Sequence, residues 1–143
     1  MLAIAELWKD YSTCIRRHVG AVVFDPKTWA VVSVGYNDTP IGWFDCGEGG
    51  CEPCEGSVSV SANLDCNCVH AEANAIYLAA RRGQSVEGCW IATTYKTCGS
   101  CMKMYRQAGI AYVIESSGRE YTVPHDTDEV TLSVPLADRR REI

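Results

Sequence analysis

The sequence predicts an α/β domain, a sheet with parallel members and helices on its faces. Three observations carry this. From His70 onward the apolar pattern alternates helix, strand, helix, strand, which sets parallel strands side by side with helices as crossovers. Before that, two short valine-rich runs flank a turn signal and form a hairpin. Finally, 143 residues with 47% apolar content make one domain able to bury its own core.

Each element has its own signal. Over Leu2–Tyr11, Ile4 pairs with Trp8 and Leu7 with Tyr11, while Glu6, Lys9 and Asp10 fall between them. This predicts a first helix that ends near Cys14. Val19–Phe24 and Trp29–Val34 are the hairpin strands, joined through Asp25-Pro26-Lys27-Thr28. Residues 37–69 have little periodicity and hold five cysteines. So long a stretch without regular structure needs something to tie it down, and metal is the obvious agent. Ala71–Arg82 is an alanine-rich helix with Ile76, Leu78 and Ala79 on its apolar side. Arg81 and Arg82 suit the negative end of its dipole, and Gly83 is its stop. Cys89–Thr93 reads as a strand, Cys98–Ala108 as a helix closed by Gly109, and Ile110–Ile114 as a further strand. In the tail, Val130–Val134 suggests a last strand and Leu136–Arg141 a short helix.

Composition removes several function classes. The net charge of −5 argues against non-specific nucleic-acid binding. The one basic cluster, Arg139-Arg140-Arg141, lies beside Glu142 and reads as a solvated tail. No apolar run approaches the roughly 18 residues of a membrane span. Met1–Asp10 has no basic n-region and carries Glu6 and Asp10, so no secretory signal is expected there. Nine cysteines, an odd number, then fit metal binding better than a disulfide framework. Cys89 reads as a small core residue, and Cys14 as either core or ligand.

Two segments carry the chemistry, His70-Ala71-Glu72 and Cys98-Gly99-Ser100-Cys101, each at a predicted helix start. One imidazole and two thiolates make a good zinc donor set. At a helix N-terminus the two sulfurs fall on one side, and the dipole favours the thiolate form. Three protein ligands leave a position for water, which marks a catalytic rather than a structural zinc. Glu72 shares that space only because both it and His70 sit at a helix end; within a helix, two positions would separate them by roughly 200°. A carboxylate there takes a proton from water and returns it to a leaving group. The combination H-x-E and P-C-x-x-C, with a non-ligating glutamate, is an established signature of zinc nucleobase deaminases rather than a deduction from spacing.

The chain resembles the deoxycytidylate (dCMP) deaminase family over about residues 14–115. The matching segments are Cys14-Ile-Arg-Arg-His-Val-Gly-Ala-Val, Gly35-Tyr-Asn-Asp-Thr-Pro-Ile-Gly, Cys46-Gly-Glu-Gly-Gly-Cys-Glu-Pro-Cys and Cys66-Asn-Cys-Val-His-Ala-Glu-Ala-Asn-Ala-Ile. The cysteine-rich stretch is similar to fungal and some viral members. The resemblance implies a cytidine deaminase-like fold, a three-layer α/β/α sandwich around a mixed five-stranded sheet. It implies a single domain over 1–143 with a cysteine-rich zinc-binding insertion around 43–69. It also implies hydrolysis of dCMP to dUMP and ammonia, in the service of thymidylate synthesis. Zinc would be held by His70, Cys98 and Cys101, with Glu72 as the proton shuttle. Asn37 matches a sugar-contacting asparagine and is equally well a turn residue. Ala71 falls in the substrate-binding set. Arg16 and Arg17 suit a phosphate or a solvated helix end. Tyr95, just after a strand, suits base stacking or the core. The resemblance further implies a nucleotide substrate, a homo-oligomer such as a hexamer, and dCTP and dTTP as candidate effectors. The reduced-looking cysteines and the absent secretory signal point to a cytoplasmic location (the host's, for a phage or viral protein). Neither a membrane nor a stable nucleic-acid partner is expected.

Two departures stand out. Thr97 occupies the place of the proline before the cysteine pair, where it is expected to adopt the same shape and cap the helix. Ile41 stands where many relatives carry a polar or basic residue. Cys14, Cys46, Cys51, Cys54, Cys66 and Cys68 remain. Cys51 and Cys54 have knuckle spacing, and Cys14, Cys46 and Cys68 match positions near a second zinc in phage relatives. At least one structural zinc is expected, with the ligand set open: either two thiols stay free or two ions share sulfurs. Other readings of the whole chain are a deaminase of dCTP or 5-modified dCMP, a polynucleotide deaminase, and a non-enzymatic zinc module.

Overall fold

The computed structural model describes residues 1–51, 54 and 66–124. Its regular elements are α1 (Leu2–Trp8), β1 (Gly20–Phe24), β2 (Val31–Tyr36), α2 (Ala71–Arg81), β3 (Trp90–Thr93), α3 (Gly99–Ala108), β4 (Tyr112–Glu115) and β5 (Glu120–Thr122). Short 3-10 turns follow at Lys9–Tyr11 and Cys46–Glu48.

The five strands form one mixed sheet in the order β2-β1-β3-β4-β5. The β1–β2 hairpin, β1–β3 and β4–β5 are antiparallel, and β3–β4 is parallel with Ile91 opposite Val113. That parallel pair is the one joined through a helix, α3, as a crossover connection requires.

Helices cover both faces of the sheet. Ala21, Val23, Ile91 and Val113 meet Ala75, Ala79 and Tyr105 of α2 and α3. Phe24, Ala92, Tyr112 and Ile114 point the other way, toward Met1 and Leu2. The alternation along β1 is the period-2 geometry of a strand buried on both faces. Two glycines let helices approach closely. A Cβ on Gly20 would lie 2.0 Å from the Ala5 carbonyl oxygen of α1, and one on Gly35 would lie 2.3 Å from that of Ala71. Ser33 completes the docking of α2 by donating its hydroxyl to the Ala75 carbonyl at 2.7 Å.

Helix stops follow the sequence. Gly83 and Gly109 adopt φ of 66° and 79° after α2 and α3, the left-handed cap that glycine permits. The first helix is shorter than its periodicity suggests. It ends at Trp8, and Ser12 is extended, because the Ser12 hydroxyl turns to the Asn37 carbonyl at 2.6 Å. The fifth strand is Glu120–Thr122; the strand expected at Val130–Val134 and the helix at Leu136–Arg141 lie outside the described residues. No helix among the described residues is long and apolar enough to cross a membrane.

Candidate active site

Two helix N-termini converge at the carboxyl ends of the central strands, where open α/β sheets place their sites. His70 is the N-cap of α2 and Cys98 the N-cap of α3, both in extended backbone conformation. The Cys98 Sγ accepts the Cys101 N–H at 3.4 Å, so the first turn of α3 fixes both sulfurs. Thr97 is therefore not the cap: that role falls to the cysteine after it. Thr97 instead uses the N–H that a proline would lack, donating it to Glu115 Oε1 at 2.9 Å.

Cys98 Sγ and Cys101 Sγ lie 3.5 and 3.4 Å from His70 Nδ1. A tetrahedral zinc with bonds of about 2.3 Å to sulfur and about 2.0–2.1 Å to nitrogen separates such donors by roughly 3.5–3.6 Å. The three atoms are thus spaced as ligands of one ion. The local electrostatics agree. Burial, then the Glu72 carboxylate and Cys98, push the Cys101 thiol up. Burial also raises Glu72, against the pull of its own N–H and of His70. A divalent cation relieves this crowding of potential anions.

Glu72 is 4% exposed and stands in the first turn of α2. Thr93 Oγ1, at the end of β3, is 3.5 Å from its Oε1. Sequence reasoning passed over Thr93 as a strand residue; its place at a carboxyl strand end was the available signal. His70, Glu72 and the cysteine pair open onto a cleft of about 880 Å³. Arg16, Arg17, Asn37, Ala71 and Tyr95 border the same cleft. The Arg17 guanidinium lies over the Tyr95 ring, 4.1 Å from its centre. Asn37 is deeply committed. Its Oδ1 accepts from Ser12 Oγ at 2.9 Å and Val19 N–H at 2.7 Å, and its Nδ2 donates to the Arg17 carbonyl at 2.7 Å. It therefore pins the loop that carries the two arginines. Ile41 is 83% exposed and stands apart from this cleft.

The six remaining cysteines gather beside the cleft. Cys14, Cys46, Cys51, Cys54 and Cys68 are buried together, with Cys66 exposed at their edge. The bridge between Asp38 and Val69 brings the 66–68 segment against the loop after β2. Cys89 packs elsewhere, within the aliphatic core.

Comparison with known proteins follows this geometry. The profile described as "Cytidine and deoxycytidylate deaminase zinc-binding region" matches residues 1–116. A deoxycytidylate deaminase of Schizosaccharomyces pombe is 33% identical over 134 residues, 93% of this chain and 39% of that protein. One from Enterobacteria phage T4 is 30% identical over 145 residues, 80% of this chain and 74% of the phage protein. The yeast relatives are longer: this chain spans about two fifths of their length. Among solved structures, the dCMP deaminase of cyanophage S-TIM5 in complex with dCMP and dUMP superposes with a TM-score of 0.65 at 32% identity, covering 80% of this chain and 76% of that one. The fold, the paired helix ends and these matches agree, and the chain belongs to the cytidine and deoxycytidylate deaminase zinc-binding family.

Proposed function

We propose that this chain hydrolyses the exocyclic C–N bond of dCMP, giving dUMP and ammonia, and so supplies the precursor of thymidylate. The proposal rests on one arrangement: His70 Nδ1 within 3.5 Å of two sulfurs at the start of α3, with the buried Glu72 carboxylate beside them at a cleft. His70, Cys98 and Cys101 would hold zinc, which when bound lowers the pKa of water enough for attack at neutral pH. Glu72 accepts the proton that water gives up. It passes that proton to the ring nitrogen N3 as the water oxygen bonds to C4, then takes the proton of the new C4 hydroxyl and gives it to the amine, so that C4=O forms as the C–N bond breaks and ammonia leaves. Burial makes Glu72 a better base than a solvated carboxylate.

The cleft residues supply substrate binding in this reading. Tyr95 offers a ring face for the base, Ala71 backs the catalytic end, and Asn37 sets the rim where the sugar lies. Arg16 and Arg17 offer cationic donors to the single phosphate. The whole chain would act as one deaminase domain with residues 43–69 as its metal-bound insertion. Apolar side chains at Ile41, Trp43, Phe44 and Tyr77 are more than half exposed, which suits assembly with further copies of the chain. Nine unpaired cysteines suit a reducing compartment such as the cytoplasm.

A panel of deoxycytidine, cytidine, dCMP, dCTP and 5-methyl-dCMP, followed by ammonia release, tests this. dCMP should exceed the nucleosides in kcat/KM by roughly tenfold or more, as one charge-assisted phosphate contact of about 1.5–3 kcal/mol implies. A preference for dCTP or a nucleoside would overturn the substrate, and no turnover of any member would overturn the reaction.

A further inference from the structure

We propose that Cys14, Cys46, Cys51, Cys54, Cys66 and Cys68 hold two zinc ions that share thiolates, a binuclear hexathiolate cluster distinct from the His70–Cys98–Cys101 centre.

The sulfurs fall into three overlapping trios. Cys14, Cys46 and Cys68 lie within 4.8 Å of one another, as do Cys46, Cys51 and Cys54, and also Cys51, Cys66 and Cys68. Cys46, Cys51 and Cys68 each stand in two trios. Every pair of these three shares a trio, so they form an inner triangle, with Cys14, Cys54 and Cys66 on its three edges. A single tetrahedral zinc takes four sulfurs spaced about 3.8 Å apart, given bonds of about 2.3 Å. One such ion would leave two of the six thiols without a role. Two ions need eight ligand positions between them. Six sulfurs fill those positions when two are shared, and the inner triangle supplies the candidates for sharing. The Cys51–Cys66 separation of 3.6 Å is already that of two sulfurs on one metal.

Backbone amides lie beside several of these sulfurs. The backbone N–H groups of Arg16 and Arg17 face Cys14, that of Ile15 faces Cys46 and that of Asn67 faces Cys51. A neutral thiol is a weak acceptor, whereas an amide donated to a thiolate is charge-assisted. The cluster also differs from ordinary cysteine packing. Among the described residues its buried core consists of cysteines alone, with Cys46 and Cys51 fully buried, while Cys89 sits among aliphatic and aromatic neighbours. Thiols that merely fill space pack as Cys89 does.

The cluster would fasten together Cys14, the Cys46–Cys51 stretch with Cys54, and the Cys66–Cys68 stretch, which stand far apart in the sequence. Its binding free energy then contributes directly to folding. Cys68 lies two residues before His70, so the same fastening sets the entry to α2.

Metal content and ¹¹³Cd NMR of the full chain test this. Three zinc ions per chain are expected. Replacing zinc with ¹¹³Cd should give two thiolate-bound resonances that are scalar-coupled to each other through a shared sulfur, and a third, uncoupled one from the His70 site. The double variant Cys98→Ser/Cys101→Ser should keep two ions and the coupled pair. Two or fewer ions in the unaltered chain, or three with no coupled pair, would overturn the proposal. Ammonia release from the same sample reads the other site: a chain with the coupled pair and no turnover would refute the deaminase proposal and leave this one standing.

Discussion

The backbone N–H of Thr97 donates to Glu115 Oε1 at 2.9 Å, tying the residue before the N-cap of α3 to the last residue of β4. Glu115 is 1% exposed and also accepts from the Tyr121 hydroxyl at 3.0 Å and Ser117 Oγ at 3.3 Å. The Arg119 guanidinium stands 3.8 Å away. One buried carboxylate therefore gathers the start of α3, the β4–β5 turn and β5, and through α3 it locates Cys98 and Cys101.

Restoring the family's proline should for that reason be harmful here. Thr97→Pro removes a donor from a buried charged acceptor, which costs about 1–3 kcal/mol. Thr97→Ala keeps the N–H and should stay within about 0.5–1 kcal/mol of the unaltered chain. Denaturant unfolding of the two variants checks the contrast. Equal stability would show that the bond contributes nothing.

Gly35→Ala probes the seat of α2. The new Cβ would meet the Ala71 carbonyl oxygen at 2.3 Å and the Ala75 nitrogen at 2.4 Å. Both are backbone atoms that cannot swing aside, so α2 must move off the sheet, at a cost of roughly 1–3 kcal/mol or more. Because His70 and Glu72 ride on that helix, zinc bound at the His70 centre and ammonia release should fall together. Thermal unfolding with a zinc count measures both, and an unchanged melting temperature would refute the close approach.

Much of this architecture was legible because its signals are local. An alanine-rich run, its terminal glycine and the two capping segments fix α2 and α3 without outside help. The fifth strand of the sheet, Glu120–Thr122, had no such signal. Glu120-Tyr121-Thr122 is short and opens on a charge, and Glu115 before it reads as a strand end. Both acids are buried, and what makes that tolerable is a long-range set of partners: Tyr112 for Glu120, Tyr121 and Thr97 for Glu115. Only the Ser116-Ser117-Gly118 turn, with Gly118 at φ 83°, marked the hairpin locally. The same distinction divides the candidate metal donors. His70, Cys98 and Cys101 declared themselves as pairs at helix starts, whereas the grouping of the other six sulfurs depends on three loops meeting in space.

The β1–β2 turn carries a pH-dependent contribution. Asp25 accepts the Lys27 N–H at 2.8 Å and the Thr28 hydroxyl at 2.9 Å, and these bonds hold its carboxyl below the usual 3.8. A depressed acid pKa adds stability that is present above the unfolded value and is lost as pH falls through the folded one. The gap in melting temperature between the unaltered chain and Asp25→Ala should therefore be widest near neutrality and shrink as pH falls below the usual carboxyl value of 3.8. A gap independent of pH would mean that the charged form of Asp25 is not what the turn uses.

Glu72→Gln separates proton transfer from architecture. Glutamine keeps the shape, can still meet Thr93 Oγ1, and leaves His70, Cys98 and Cys101 untouched, so zinc content should not change. It cannot accept the proton that water releases, and turnover should fall by about 10²–10⁴-fold. Stability should move the other way or not at all. Burial is the main reason the Glu72 carboxyl is raised, and a neutral amide does not carry the cost of an ionised group in that position. Ammonia release, zinc per chain and melting temperature, measured on one preparation, distinguish the roles. A loss of turnover with zinc retained and the melting temperature held or raised places Glu72 in the chemistry. Turnover within about tenfold of the unaltered chain, below the range that general acid–base catalysis contributes, would assign the proton to another group.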